Sequence, residues 1–210
     1  MTAHRSMIRR AAAVAAAGAA AVVLAACGGG DDNSSGHSGH DKSPPPTASA
    51  SARQGDHNAA DVSFAKGMIP HHRQAIEMAD LAESRAGSAE VKTLAAEIRK
   101  AQDPEIKTLS GWLTSWGEEV PEEGEGGEHA GHSMSGMMTA EEMAELEKAS
   151  GEAFDTAFLE MMVEHHEGAV EMARTEQSDG SYQPAKDMAG DIIASQSAEI
   201  TRMNELLRKN

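Results

Sequence analysis

The sequence predicts an all-α protein, an antiparallel four-helix bundle built from a duplicated helical hairpin. Apolar residues recur at helical spacing, and no segment alternates with the period of two that is typical of a strand. One motif is written twice, as MIPHHRQAIEMA at 68–79 and as MMVEHHEGAVEMA at 161–173. A hairpin with one apolar face cannot bury that face alone, so we expect the two copies to pack around one shared core.

The N-terminus is predicted to be a lipoprotein signal peptide over residues 1–26. Arg5, Arg9 and Arg10 precede an Ala-rich apolar run that is too short for a typical membrane span. The run ends at Leu24-Ala25-Ala26-Cys27, which resembles the bacterial lipobox, in which the cysteine is lipidated. The alternative is an ordinary secretory signal followed by a chance cysteine.

Cys27 is the only cysteine of the chain, so neither a disulfide framework, a thiolate metal site nor a cysteine nucleophile is available. A soft metal ligand would therefore have to be methionine. A diacylated Cys27 would meet the two-chain requirement for stable membrane attachment. We expect an exported protein that is anchored to the outer face of the cell membrane.

The charge of the chain argues against nucleic acid as a partner. Removing residues 1–26, which hold three arginines and no acidic residue, changes the formal net charge from −16 to −19. Such a surface repels nucleic acid and attracts cations, although it also serves solubility alone.

The domain limits follow from composition. Residues 27–56 are rich in Gly, Ser and Pro and are predicted to be a disordered tether. Residues 57–210 are predicted to form the bundle domain, with copies at 61–116 and 155–210 and a flexible linker at about 121–138.

Helix starts are indicated by Ser88, by Thr139 with Glu142 as a capping box, and by Pro184. The apolar faces of the second helix of each copy comprise Val91, Leu94, Ala95, Ile98, Ile106, Leu109 and Leu113, and Met188, Ala189, Ile192, Ile193, Ile200, Met203 and Leu207. Pro70 and Pro104 fall inside predicted helices. Because their counterparts are Glu164 and Ala198, we expect the helices to continue through both prolines with a kink.

The repeat extends beyond the motif without a gap, at an offset of 94 residues. The matched pairs are Asp61/Asp155, Phe64/Phe158, Met68/Met162, Ala75/Ala169, Glu77/Glu171, Met78/Met172, Lys92/Lys186, Ile98/Ile192, Gln102/Gln196, Glu105/Glu199, Ile106/Ile200 and Leu113/Leu207. The identical spacing in both halves indicates a duplicated two-helix hairpin.

Each copy of the motif places a histidine in a buried stripe. The stripes are Phe64, Met68, His71, Ala75 and Met78, and Phe158, Met162, His165, Ala169 and Met172. His72 and His166 are rotated by about 100° and flank the stripe. One interpretation is a core histidine that bonds Glu77 or Glu171, among methionines that only fill space.

Two copies favour a metal site instead. Antiparallel packing would bring both His-His pairs and the thioethers of Met68 and Met162 towards one axis, and this ligand set suits Cu(I) or Ag(I). A di-iron bundle would need Glu three residues before the histidines, where the chain has Met68, Ile69, Met162 and Val163. The zinc hydrolase motif His-Glu-x-x-His is also missing.

The linker contains further candidate ligands, and its His and Met tract could capture copper without a fold. These auxiliary ligands are His129, His132, Met134, Met137 and Met138. The tail has a similar tract with His37 and His40. Biased composition alone is the alternative for both segments.

The motif F-x-x-x-M-x-x-H-H-x-x-A-x-x-M-A, read at Phe64–Ala79 and Phe158–Ala173, resembles the family called domain of unknown function 305. The resemblance covers roughly residues 57–210. It implies a ferritin-like four-helix bundle and a role like that of the CopM-like members, which are exported and bind copper and silver. The ligands it implies are Met68, His71, His72, Met162, His165 and His166, and we add Met78 and Met172 of the same motif.

We therefore predict a lipid-anchored protein that binds Cu(I), and Ag(I), for buffering, tolerance or delivery, with no catalytic residues and an acceptor protein that the sequence does not identify. A ferritin-like metal oxidase is one alternative. A structural helical lipoprotein without metal is the other.

Overall fold

A computed structural model describes residues 56–122 and 135–209. In these ranges the chain forms five α-helices and no strand. The helices are α1 (Ala59–Arg85), α2 (Ala89–Trp116), α3 (Ala140–Lys148), α4 (Glu152–Asp179) and α5 (Gln183–Leu207). The predicted all-α fold is confirmed. None of these helices is long and apolar enough to span a membrane.

The predicted helix starts are confirmed. Ser88 caps α2, Thr139 and Glu142 form the capping box of α3, and a proline lies in the first turn of α5. α1 and α2 run through Pro70 and Pro104. Helix α3 falls between the two predicted copies, and it packs against α1 and α4.

The four long helices form the bundle. α1 pairs with α2, α4 pairs with α5, and the two hairpins meet along α1 and α4. Phe64 and Met68 pack in one apolar cluster with Ala169 and Ala173. The other cluster contains Ala75, Met78, Leu146, Phe158 and Met162. The start of α1 therefore faces the end of α4, so these two helices are antiparallel.

Each hairpin turn is held by a buried aspartate from the other hairpin. Asp61 on α1 accepts hydrogen bonds from the backbone N–H groups of Ser181 (3.1 Å) and Tyr182 (2.9 Å), between α4 and α5. Asp155 on α4 accepts them from Gly87 (2.9 Å) and Ser88 (2.8 Å), between α1 and α2. Through these four hydrogen bonds, each hairpin is joined at its first helix to the turn of the other hairpin.

The chain breaks this symmetry at Glu176, which is 1% exposed and lies where the first copy has Ala82. Burial, followed by the hydrogen bond to Asp61 and its charge, raises the pKa of Glu176 to about 8, while Lys186 opposes the shift. The Glu176 carboxyl is therefore protonated at neutral pH and donates to the carboxylate of Asp61.

We expect the stability of the protein to fall as pH rises from about 4.5 to about 8. In this window the folded protein keeps the Glu176 proton and the unfolded chain has lost it, so raising the pH favours unfolding. The expected loss is on the order of 2 kcal/mol. Urea denaturation at pH 5, 7 and 8.5 measures it.

Glu176→Gln removes this titration and should flatten the decline. Glu171→Gln, at an exposed position of the same helix, is the matched control and should keep it. An unchanged decline in Glu176→Gln would show that another group is responsible.

Candidate metal centre

The first histidine of each repeated motif faces its counterpart at the middle of the bundle. His71 on α1 and His165 on α4 have ring centroids 3.8 Å apart with planes tilted by 42°. They are 0% and 1% exposed. The antiparallel packing of α1 and α4 thus brings together the pair that the sequence predicts.

Small residues allow α1 and α4 to approach at this level. Ala75 on α1 and Ala169 on α4 lie within one turn of the histidine pair and are buried. The distance between packed helices depends on the side chains at their contact. Short side chains here let the two imidazole rings touch.

The second histidine of each motif bonds a carboxylate of the neighbouring helix. His72 Nε2 lies 2.6 Å from Glu105 Oε2, and His166 Nε2 lies 2.7 Å from Glu199 Oε2. Because a carboxylate only accepts, both Nε2 atoms carry hydrogen. His72 and His166 are fully buried, so they belong to the core rather than only to its border.

The partners Glu77 and Glu171, proposed from the sequence, are wrong. Both side chains are exposed on the outer faces of α1 and α4. His71 bonds the Ser135 carbonyl instead, and the carboxylates of α2 and α5 bond the neighbouring His72 and His166. A sequence indication existed, since Glu105 and Glu199 are matched in the repeat, as are the buried Gln102 and Gln196 one turn earlier.

The central pair is uncharged at neutral pH. Burial, and then the proximity of His72, lowers the pKa of His71 to about 3. Burial, followed by His71 and His166, holds the pKa of His165 well below its usual value. Neutral imidazole is the form that binds metals.

Several ring nitrogens in this buried group have no hydrogen-bond partner. They are Nδ1 of His71, His72, His165 and His166, and Nε2 of His165. Leaving buried polar atoms unpaired is unfavourable, and such atoms call for an explanation such as an ion. A soft cation bound to these lone pairs would satisfy them.

Three of the four predicted methionine ligands are fully buried, namely Met68, Met78 and Met162. Met172 is only partly buried, which corrects its predicted place in the buried stripe. Met68 packs in the cluster around Phe64, whereas Met78 and Met162 pack in the cluster around Phe158. The thioethers therefore lie on both sides of the histidine pair.

The residues 56–122 and 135–209 contain no group of three or more His, Cys, Asp or Glu side chains arranged to hold a metal ion. Methionine sulfur is not among those groups. The donor set present here is imidazole with thioether, which suits Cu(I) and Ag(I).

Two of the predicted linker ligands lie within the described residues. Met137 is partly buried and Met138 is 7% exposed. They belong to a segment, residues 135–138, that crosses the bundle beside His71 and that we name the strap. His129, His132 and Met134 lie outside the described residues, as do Cys27, His37 and His40.

The family model for a domain of unknown function, DUF305, matches residues 61–207. The chain belongs to the DUF305 family. The resemblance read from the repeated motif is thereby confirmed. No curated protein matches the chain in sequence.

Solved DUF305 structures have the same fold. A DUF305 protein from Streptomyces coelicolor that is assumed to be secreted is 33% identical, with a TM-score of 0.65 over 71% of this chain and 93% of that chain. A DUF305 fragment from Deinococcus radiodurans is 29% identical, with a TM-score of 0.65 over 73% and 98%.

The protein CopM is also similar. Its Cu(II)-bound form is 36% identical, with a TM-score of 0.62 over 71% of this DUF305 chain and 96% of CopM. CopM has also been solved with Cu(I) and with Ag bound. These similar structures are named for metal binding or for the family and not for an enzymatic activity.

Proposed function

We propose that this DUF305 protein binds Cu(I) and Ag(I) at the centre of its bundle and buffers or delivers the metal outside the cytoplasm. The observation that carries the proposal is the buried, uncharged pair of His71 and His165 with unpaired ring nitrogens. The similarity to CopM, solved with copper and silver, supports the same metals.

The chemistry of the donors supports a soft, monovalent ion. Neutral imidazole and thioether leave the site without negative charge at the central pair, and both ligand types accept Cu(I) and Ag(I). The ligands we propose are His71 and His165, with Met68 and Met162 one turn away on the same helices. His72, His166, Met78 and Met172 are further candidates.

Glu105 and Glu199 would act on the histidines rather than on the metal. Each carboxylate accepts the Nε2 hydrogen of a histidine in its own hairpin, which leaves Nδ1 of that ring as the free donor. Partners of this kind fix the orientation of metal-binding histidines. This arrangement supports binding over a metal oxidase, in which carboxylates would bridge two ions.

The linker supports auxiliary binding next to the centre. Arg73 donates to the Pro121 carbonyl (2.7 Å) before the linker, and the chain returns at Ser135 beside His71. Both flanks are therefore fixed near the middle of α1. We propose His129, His132, Met134, Met137 and Met138 as ligands that capture the ion before it reaches the centre.

The function is tested by counting bound metal. The purified protein without residues 1–26 should retain Cu(I) or Ag(I) in native mass spectrometry. Met68→Leu combined with Met162→Leu should weaken Cu(I) binding by about 10-fold or more, because Leu removes the sulfur donors. The stability change should stay on the order of 1 kcal/mol or less per site, since volume and apolarity are nearly conserved.

Deleting residues 122–134 from both wild type and variant removes metal binding by the His and Met residues of the linker, so the affinity measured belongs to the centre of the bundle. Met203→Leu, a buried methionine of α5 outside the motif, is the matched control and should keep wild-type affinity. If the double methionine variant binds Cu(I) as wild type does, the two thioethers are not ligands. If the bundle without the linker binds no Cu(I), the repeated motif is a packing device and metal binding belongs to the linker.

We also propose that Cys27 carries a lipid anchor. The neighbour assumed to be secreted supports a location outside the cytoplasm. Cys27→Ser should move most of the protein from the membrane fraction to the soluble fraction, because the acyl chains supply the membrane affinity. Unchanged membrane association would contradict lipidation.

A further inference from the structure

The strap touches both helices that carry the central histidines. The Ser135 carbonyl lies 3.3 Å from His71 Nε2 on α1. Its neighbour Gly136 lies against the backbone of α4, where an added Cβ would lie 2.5 Å from the Glu164 carbonyl oxygen and 3.1 Å from that of His165. The strap therefore passes directly over the histidine pair.

Gln74 fastens the far end of the strap. Its side-chain amide donates to the Met138 carbonyl (2.9 Å), and its side-chain oxygen accepts from the Met138 N–H (2.7 Å). Two bonds between one side chain and one residue fix both position and direction. The strap is thus anchored three residues along α1 from His71.

The repeat changes at the residues that meet the strap. Gln74 and Gly168 occupy equivalent positions of the two motifs, 94 residues apart. Gln74 holds the strap, while Gly168 makes room for it, since a Cβ there would overlap the Ser135 carbonyl. The first motif therefore bonds the strap through Gln74, and the second motif leaves space for it at Gly168.

The strap makes the two central rings chemically unequal. A carbonyl oxygen only accepts, so His71 Nε2 must carry the hydrogen of this neutral ring and Nδ1 keeps the lone pair. Neither nitrogen of His165 bonds the strap or a carboxylate, so its hydrogen is held less firmly than that of His71. Of the two central histidines, only His71 has one known nitrogen free to bind a metal.

We propose that the strap is a positioning element that holds His71 as an Nδ1 donor and leaves His165 as the adjustable ligand of the pair. A histidine whose hydrogen already lies on Nε2 has its Nδ1 lone pair ready for the metal. No tautomer change is needed when the ion arrives, which favours binding. Releasing the strap should therefore free His71 to exchange its tautomers and let the ion leave faster. The consequence for the metal rests on the proposed function, whereas the hold on His71 is a property of the metal-free protein.

Gly168→Ala tests the proposal, because its methyl group displaces Ser135. The matched control is Gly111→Ala, a helical glycine with nothing within 4 Å of an added Cβ. Gln74→Ala releases the strap by a second route that adds no bulk, in case Gly168→Ala fails to fold. Three readouts apply to each protein: histidine tautomers by ¹⁵N NMR without metal, hydrogen exchange of the Met138 amide, and transfer of bound Ag(I) to a chelator.

We expect wild type and Gly111→Ala to show His71 as the Nε2–H form alone. Gly168→Ala and Gln74→Ala should show mixed tautomers, at least 10-fold faster exchange at Met138, and Ag(I) transfer about 10-fold faster. The proposal is overturned if His71 keeps the Nε2–H form while the Met138 amide exchanges fast. If wild type retains no Ag(I) but His71 responds as expected, the proposed function fails and the hold of the strap on His71 stands.

Discussion

Replacing His71 and His165 together by Leu is expected to lower the Ag(I) and Cu(I) affinity of the centre by more than about 100-fold. Loss of a residue that only supports a metal ligand already reduces affinity by about 10–100-fold, and here two donors themselves are removed. Competition with a chelator, in proteins that lack residues 122–134, measures the affinity of the centre alone.

The stability of the metal-free protein should change in the opposite direction. His165 buries two nitrogens without partners, and replacing an unpaired buried polar group by an apolar one of similar size is favourable. We expect His165→Leu to raise the free energy of unfolding by about 1–2 kcal/mol. His71→Leu should gain less, because it loses the bond to Ser135.

His57→Leu is the matched control, since His57 stacks on Trp116 at the end of the bundle. It should leave the metal affinity unchanged. Undiminished Ag(I) affinity in the double variant would remove the central pair from the site. A large loss of metal-free stability in His165→Leu would mean that its nitrogens have partners after all.

Asp61→Ala is expected to reduce the free energy of unfolding by about 3 kcal/mol, because it leaves buried amides without their acceptor. Asp61 is fully buried and accepts from the N–H groups of Asn58 (2.6 Å), Ser181 and Tyr182. Burial opposes ionisation of Asp61, but the bonds from Asn58, Glu176, Tyr182 and Ser181 outweigh it and lower its pKa.

The lowered pKa adds a pH signature to this prediction. The contribution of ionised Asp61 is fully present above the unfolded pKa of about 3.8 and is lost as pH falls through the lower folded value. Asp61→Ala should therefore differ most from wild type at neutral pH. Urea denaturation at pH 3 and pH 6 measures the difference.

Asp80→Ala is the control for removing a carboxylate from the same helix. Asp80 pairs with Arg99 at the surface, where its side chain is 53% exposed, so its loss should change stability by less than about 1 kcal/mol. Equal effects at Asp61 and Asp80 would contradict the structural role of the buried aspartate.

The fold and the central pair could be predicted from the sequence because both depend on periodicity. The spacing of Phe64, Met68 and His71 places them on one face of a helix, and the second copy supplies the facing surface. Helical periodicity predicts which residues share one face of α1, and the duplicated motif predicts that the matching face of α4 packs against it. The contact between His71 and His165 follows from these two facts.

The partners of His72 and His166 could not be predicted in the same way. Periodicity says nothing about the rotation of α2 relative to α1, so it cannot select Glu105, 33 residues away, over Glu77 on the same helix. Glu77 and Glu105 are both matched in the second copy, so the repeat does not distinguish the glutamate that bonds the histidine from the one that faces solvent.

Met172 is more exposed than predicted because the cover of the bundle is unequal. Helix α3 and the strap add Leu146 and Met138 to the cluster that contains Met78. Among the described residues, the cluster around Met172 gains Val120 from beyond the end of α2, and Val120 is itself only partly buried. An inserted segment that packs on one side cannot be inferred from a symmetric repeat.

The crossed aspartates bear on what half of this protein could do alone. In a single hairpin, Asp61 would have no backbone N–H groups to accept from. The N–H groups of the hairpin's own turn would have no carboxylate to donate to. Two identical hairpins would satisfy each other through the same surface, as in an isologous dimer with a twofold axis. That axis would pass between two copies of one histidine. A gene for one hairpin could therefore already specify a closed dimer with a paired imidazole centre, and fusion of two such genes would free each half to diverge, as Gln74 and Gly168 have done.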